Sequence, residues 1–114
     1  MRLHRLAAAA PFSGGVITEW PEEADKVPTL VSWGGENDEA YEQDFHALAN
    51  DLIDASTARG AFTVACNHGN EHEFQPDFWS WSFEFLLAHD RMFESSPFAG
   101  GLPGSFPSYC AVVE

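Results

Sequence analysis

Three short apolar runs constrain this chain more than any other feature. They are "LAAAAPF" (6–12), "TLVSW" (29–33) and "AFTVAC" (61–66). Each has the length and composition of a buried strand, and each ends in a polar, glycine-bearing loop. Those loops are "SGG", "GGENDE" and "NHGNEH". Between the second and third runs lies an amphipathic segment. Tyr41, Phe45, Leu48 and Leu52 recur at helical spacing, with Glu42, Asp44, Asn50, Asp51 and Asp54 on the other side. Asp38 reads as its N-cap, Glu39 and Glu42 suit the first turns, and Arg59-Gly60 closes it. A second helix is expected over 76–89, "PDFWSWSFEFLLAH", with Pro76 near its first turn. Phe78, Trp81, Phe85 and His89 share one face of it, and Trp79, Phe83 and Leu86 an adjacent one. So many aromatic residues predict broad burial. Residues 94–114 are turn-rich and aperiodic, which predicts an irregular tail.

Strand, helix, strand and helix in this order predict an α/β fold, with about three parallel strands joined by crossover helices. Ligands in such sheets bind beyond the C-terminal strand ends, where the three polar loops fall. The 114 residues suffice for a single domain. Three strands make a thin sheet, and the first begins almost at Met1. The expectation is one incomplete domain, the last part of something larger.

Eighteen acidic residues against five Lys and Arg give a formal charge of -13. Such a field repels phosphate backbones and anionic lipid, so neither nucleic acid nor a membrane surface is an expected partner. No apolar run reaches spanning length. The start, "MRLHRLAAAAPFSGG", has the arginines of a signal peptide. Its apolar part is short and Ala-rich, and Pro11 follows at once, so it reads as a strand.

The segment "CNHGNEH" (66–72) carries the densest chemistry. His68-Gly69-Asn70-Glu71-His72 matches the H-x-x-E-H pattern of one zinc peptidase class. That chemistry needs both histidines on one helical face, and Gly69-Asn70 after a strand opposes a helix. A zinc site at His68 and His72 is retained only as an alternative. In a parallel-sheet serine hydrolase the triad runs Ser, Asp, His along the chain. Asp38 after the second run and His68 or His72 after the third keep that order. The acid would orient the imidazole, and the imidazole would take the hydroxyl proton. The blander readings are a helix cap for Asp38 and loop surface for the histidines. Trp33, at a strand end, is a further candidate for a cleft wall.

The blocks "RLAAAAPFSGG", "PTLVSWGGENDEAY" and "CNHGNEH…WSFEFLLAH…PFAGGLPGSFPSYC" resemble the C-terminal part of an α/β-hydrolase. Within that fold they are similar to the secreted polyhydroxybutyrate-depolymerase and feruloyl-esterase-like group. The resemblance implies that Asp38, in Gly35-Glu36-Asn37-Asp38, is the acid. It implies that His72 is the base, with Pro76 downstream. Glu71 stands where the family has a glycine, which keeps His68 as runner-up. A Cys66–Cys110 disulfide and an exported parent protein are also implied. Without that bond both are ordinary buried thiols. The implied substrate is a small-molecule or polymeric ester, and no cofactor is called for. Although the group is secreted, the chain shows no convincing signal peptide, which leaves its localisation open.

The nucleophile is missing from this pattern. No Gly-x-Ser-x-Gly pentapeptide occurs in the chain. Ser13 in "PFSGG" follows a strand, but no periodic helix follows it, so it reads as a turn residue near the site. Two functional classes result. One is an ester hydrolase fragment that supplies acid and base without the attacking group. The other is a non-catalytic remnant or binding module of the same topology. A fragment should also expose apolar helix faces and sheet edge, and so self-associate or pair with a missing N-terminal half.

Overall fold

The second and third apolar runs pair side by side, residues 29–33 against 63–67, and the rest of the described residues are hung on that pair. A computed structural model describes residues 8–13, 27–89 and 96–114. Its elements are β1 (Thr29–Trp33), β2 (Glu39–Ala40), β3 (Gln43–Asp44), α1 (Phe45–Ala58), β4 (Thr63–Asn67), α2 (Phe78–Ala88) and β5 (Cys110–Val112). The fold is mixed α/β. β1 and β4 run parallel, with Thr29 opposite Thr63 and Trp33 opposite Asn67. β5 adds to the far side of β4 in the antiparallel sense. Residues 8–13 run beside β1 through parallel bridges, Ala9 to Thr29 and Phe12 to Ser32.

Three expectations are corrected here. The sheet is not purely parallel, because the tail supplies an antiparallel strand. Residues 110–112 are therefore not irregular; "CAV" is short and apolar enough to pair but too short to show a period. Within the 6–12 run, the described residues 8–12 make isolated bridges rather than a continuous strand. Residues 1–7 and 14–15 of the arginine-bearing start, and residues 16–26, lie outside the described residues.

The helices differ from expectation in their bounds and faces. α1 begins at Phe45, and Asp44, not Asp38, is its N-cap, accepting the Ala47 N–H at 3.1 Å. Asp38 is followed instead by a tight hairpin in which β2 and β3 pair around Tyr41-Glu42. Both turn residues have positive φ, 53° and 64°, the geometry of a two-residue hairpin turn. Tyr41 therefore leaves the helix and is exposed. The buried face of α1 is Ala49, Leu52, Ile53 and Ser56, spaced i, i+3, i+4 and i+7. The period was read correctly but in the wrong phase, because the hairpin consumes the first six residues.

Alternation along the strands divides the core in two. Val31 and Trp33 pack under α1 with Ala49, Leu52 and Ile53. On the other face, Leu30, Val64 and Cys66 meet Phe78, Trp81 and Phe85 of α2, with Phe98, Phe106 and Cys110 of the tail. Broad burial of α2 is not found. Its inner face is buried as expected, while Trp79, Phe83 and Leu87 stand 67%, 57% and 72% exposed. Trp33 is buried as well. Its indole N–H donates to His46 Nδ1 at 3.0 Å, so it is core and not a cleft wall.

Cys66 and Cys110 form a disulfide across the β4–β5 pair, closing 44 residues of sequence. His89 is buried within Phe62, Phe85 and Phe98. Its Nδ1–H donates to the Phe85 carbonyl at 2.7 Å, and Nε2 accepts from Ser96 O–H at 2.7 Å. Burial lowers its pKa, and the Phe85 carbonyl only partly opposes this.

Two predictions follow from this packing. Reduction should add the mass of two hydrogens and lower unfolding free energy by about 2–4 kcal/mol, seen in paired denaturant titrations. Because the folded state holds His89 neutral, its contribution is complete above the unfolded value near 6.5 and is lost as pH falls toward the folded value. Thermal midpoints should therefore decline as pH drops below about 6.5, and His89→Gln should flatten part of that slope.

Candidate active site at the ends of the parallel strands

Beyond the end of β1 the chain turns at Gly34-Gly35 and delivers Asp38 back over the sheet. The Asp38 N–H donates to the Gly35 carbonyl at 3.0 Å, and the Asp38 carbonyl accepts from the Phe45 N–H at 2.9 Å. The residue is held by its backbone on both sides. Its side chain is fully buried, at 0% exposure. Oδ2 accepts two hydrogen bonds, from the Gly34 N–H at 2.8 Å and the Ser13 hydroxyl at 2.9 Å. Oδ1 lies 2.7 Å from His72 Nδ1.

The carboxylate can only accept, so Nδ1 of His72 carries the proton. In the neutral imidazole this leaves the lone pair on Nε2. The His72 side chain is 34% exposed, and among the described residues nothing hydrogen-bonds its Nε2. Burial raises the Asp38 pKa, but the Gly34 N–H, His72 and the Ser13 hydroxyl outweigh it. The carboxyl is held below the usual carboxylate range.

The loop carrying His72 is shaped by its own polar residues. The Gly69 N–H bonds to Asn67 Oδ1 at 3.0 Å and the Asn70 N–H to His68 Nδ1 at 3.1 Å. These side-chain turns offer the backbone an alternative to helix. The loop also continues the pairing with the first strand. The His68 N–H donates to the Trp33 carbonyl at 3.0 Å, and the Glu71 N–H to the Gly34 carbonyl at 2.9 Å. The second of these brings Glu71 so close that a Cβ at Gly34 would lie 1.7 Å from the Glu71 carbonyl oxygen. No side chain fits there. His72 then stacks on Phe45, with centroids 4.9 Å apart and planes at 18°. Tyr41 meets its edge at 6.3 Å.

The structure thus brings Asp38, His72 and Ser13 together. His68 is elsewhere in the same loop. Its ring stacks on Phe12 at 6.0 Å and meets the edge of Tyr109 at 6.2 Å. Its Nδ1 is used by Asn70, and its buried Nε2 has no partner among the described residues. Burial lowers its pKa, with Asp38 and Glu73 opposing in part. Residues 68–72 form no helix, so the two histidines do not share a helical face. Among the described residues no cluster of three or more His, Cys, Asp or Glu is placed to hold a metal ion.

Three contributors to the site escaped the sequence reading. Tyr41 and Phe45 had been placed on a helix face turned to the core, and Gly34 had been read only as a turn. The Gly34-Gly35 pair was the signal available, since a second glycine suggests close approach as well as a bend. Compared with known families, with curated proteins and with solved structures, the chain matches none.

Gly34→Ala should push Glu71 away and break the link between the two loops. A loss of about 1–3 kcal/mol in denaturant unfolding is expected, the usual cost of overpacking. Because the folded state depresses the Asp38 pKa, that carboxylate's contribution is present above about 3.9 and is lost as pH falls through its folded value. Acid titration followed by tryptophan fluorescence should show this as a step below about pH 4 that Asp38→Asn removes.

Proposed function

We propose that the chain is the C-terminal part of a serine-type carboxylic ester hydrolase with an α/β-hydrolase sheet, contributing the acid and the base of its triad. The observation that carries this reading is the 2.7 Å bond between a fully buried Asp38 and a partly exposed His72. A lone pair on Nε2, at the open side of the ring, is what a general base requires. It would take the proton of an attacking hydroxyl and return it to the leaving alcohol. Asp38 would hold the tautomer and stabilise the imidazolium between the two transfers. Both residues leave the C-terminal ends of parallel strands, where this fold class gathers its chemistry.

The attacking group is assigned to another segment or chain. The elbow pentapeptide is absent from this sequence. The Ser13 hydroxyl donates to Asp38 and not to the imidazole, so it sits on the acid's side of the pair. The oxyanion donors and acyl pocket belong to the same missing part, and the substrate is defined only as a carboxylic ester. The Cys66–Cys110 bond supports an exported protein, since such bonds persist in oxidising compartments.

The coding DNA upstream of Met1 provides the test. A longer reading frame with a Gly-x-Ser-x-Gly element should yield a protein that cleaves a short p-nitrophenyl ester. In it, Asp38→Asn should lower kcat by about 10⁴-fold, the scale of losing the acid of a triad, and His72→Gln by at least as much. The present chain treated with a fluorophosphonate should carry no adduct at Ser13. An upstream frame without the element, or full activity in both variants, would overturn the reading.

A further inference from the structure

Ser13 makes a contact that the acid–base pair alone does not explain. We propose that Ser13 is a positioning residue for the acid, its hydroxyl clamping Asp38 Oδ2 so that Oδ1 is turned to His72. This rests on the proposed roles of Asp38 and His72.

Rotation about the last bond of an aspartate side chain is soft. A carboxylate with one bond to an imidazole could swing and still keep that bond poorly. Two donors on the opposite oxygen remove the freedom. The Gly34 N–H comes from the residue next to β1, and the Ser13 hydroxyl from a different segment 25 residues before Asp38. They approach the same atom at 2.8 and 2.9 Å, which fixes the carboxylate plane.

Ser13 is itself well anchored. It is 9% exposed, and its N–H donates to the Ser32 carbonyl at 2.7 Å. Its backbone has φ 45°, a region that glycine enters freely and a serine only at a cost. Glycine would satisfy the backbone better than serine does. The side chain's hydrogen bond among the described residues is to Asp38, so the hydroxyl is what this position contributes.

The backbone argument provides a clean variant. Ser13→Gly removes the donor and relieves the positive φ, so the fold should be kept, the relief offsetting part of the lost hydrogen bond and leaving a modest fall in thermal midpoint. NMR on the present chain reads the site without requiring activity. The proton between His72 Nδ1 and Asp38 Oδ1 should give a low-field resonance in the unmodified chain. In Ser13→Gly it should exchange with solvent about tenfold faster, the scale of one lost hydrogen bond to a charged group. The carbon-detected titration of the Asp38 carboxyl should move upward, because a donor to the ionised form is gone. A purely structural role would lower the thermal midpoint as well but leave both signals in place. A folded Ser13→Gly with unchanged exchange and an unchanged Asp38 titration overturns the proposal. Should that variant fail to fold, Ser13→Ala is read by the same two signals. Absence of the low-field resonance in the unmodified chain overturns the acid–base pair itself, and is thus distinguishable from failure of the Ser13 role alone.

Discussion

A carboxylate removed from water has to be met by donors, and Asp38 is wholly removed. Its three donors come from three places in the chain: the strand-like segment ending at Ser13, the glycine turn after β1, and the loop after β4. Each bond to the charge contributes about 1.5–3 kcal/mol, and an uncompensated buried charge costs several kcal/mol. The three segments are therefore locked to one relative placement. The parallel register of β1 and β4 makes this feasible. Trp33 faces Asn67 as the last strand pair, and the same pairing continues as Trp33 to His68 and Gly34 to Glu71. The loop that presents His72 is an extension of the sheet.

The same register explains why the two faces of the sheet differ. α1 covers its side with small and aliphatic residues, Ala49, Leu52 and Ile53, which let it lie close over Val31. The other side is filled by rings from α2 and the tail, Phe78, Trp81, Phe85, Phe98 and Phe106. Aromatic pairs at tilted and edge-on geometries give that layer its shape. The disulfide ties β5 to β4 at Cys66, one residue before the strand ends at Asn67. It anchors the exit of the strand from which the histidine loop departs. The outer stripe of α2, with Trp79, Phe83 and Leu87, extends the same apolar chemistry to the surface.

Much of this was legible because strands and helices write their periods into the sequence. "TLVSW" and "AFTVAC" could be read as strands, and the pairing of their ends placed Asp38 near the histidines. α2 was visible within two residues at its start and one at its end. What was not legible depends on tertiary closure. The phase of α1 was misread because Tyr41-Glu42 adopts positive φ at both positions, which no propensity favours for these residues. Asp38 looked like a cap because an aspartate before an apolar period usually is one. Asp44 takes that role once the hairpin intervenes. β5 was missed because three residues carry no period. Its pairing is specified by Cys110 opposite Cys66, a contact between distant parts of the chain.

His68 and His72 show how neighbours, not residue type, divide the chemistry of one loop. Both rings have Nδ1 engaged by a hydrogen-bond partner, but in opposite senses. Asn70 donates to Nδ1 of His68, which places the proton on Nε2, a buried atom packed between Phe12 and Tyr109. That ring has no lone pair to offer. Asp38 accepts from Nδ1 of His72, which places the lone pair on Nε2 of a ring that still reaches solvent. The asymmetry of burial within the pair matters equally. If Asp38 served only packing, a second backbone donor beside the Gly34 N–H would satisfy Oδ1 at less entropic cost than an ordered imidazole side chain. An imidazole there couples a buried carboxylate, held below the usual carboxylate range, to a nitrogen that can bind a proton at the surface. Protonation at Nε2 makes the ring cationic and strengthens its bond to Asp38, so the pair is arranged to stabilise a charge that arises only when a proton arrives.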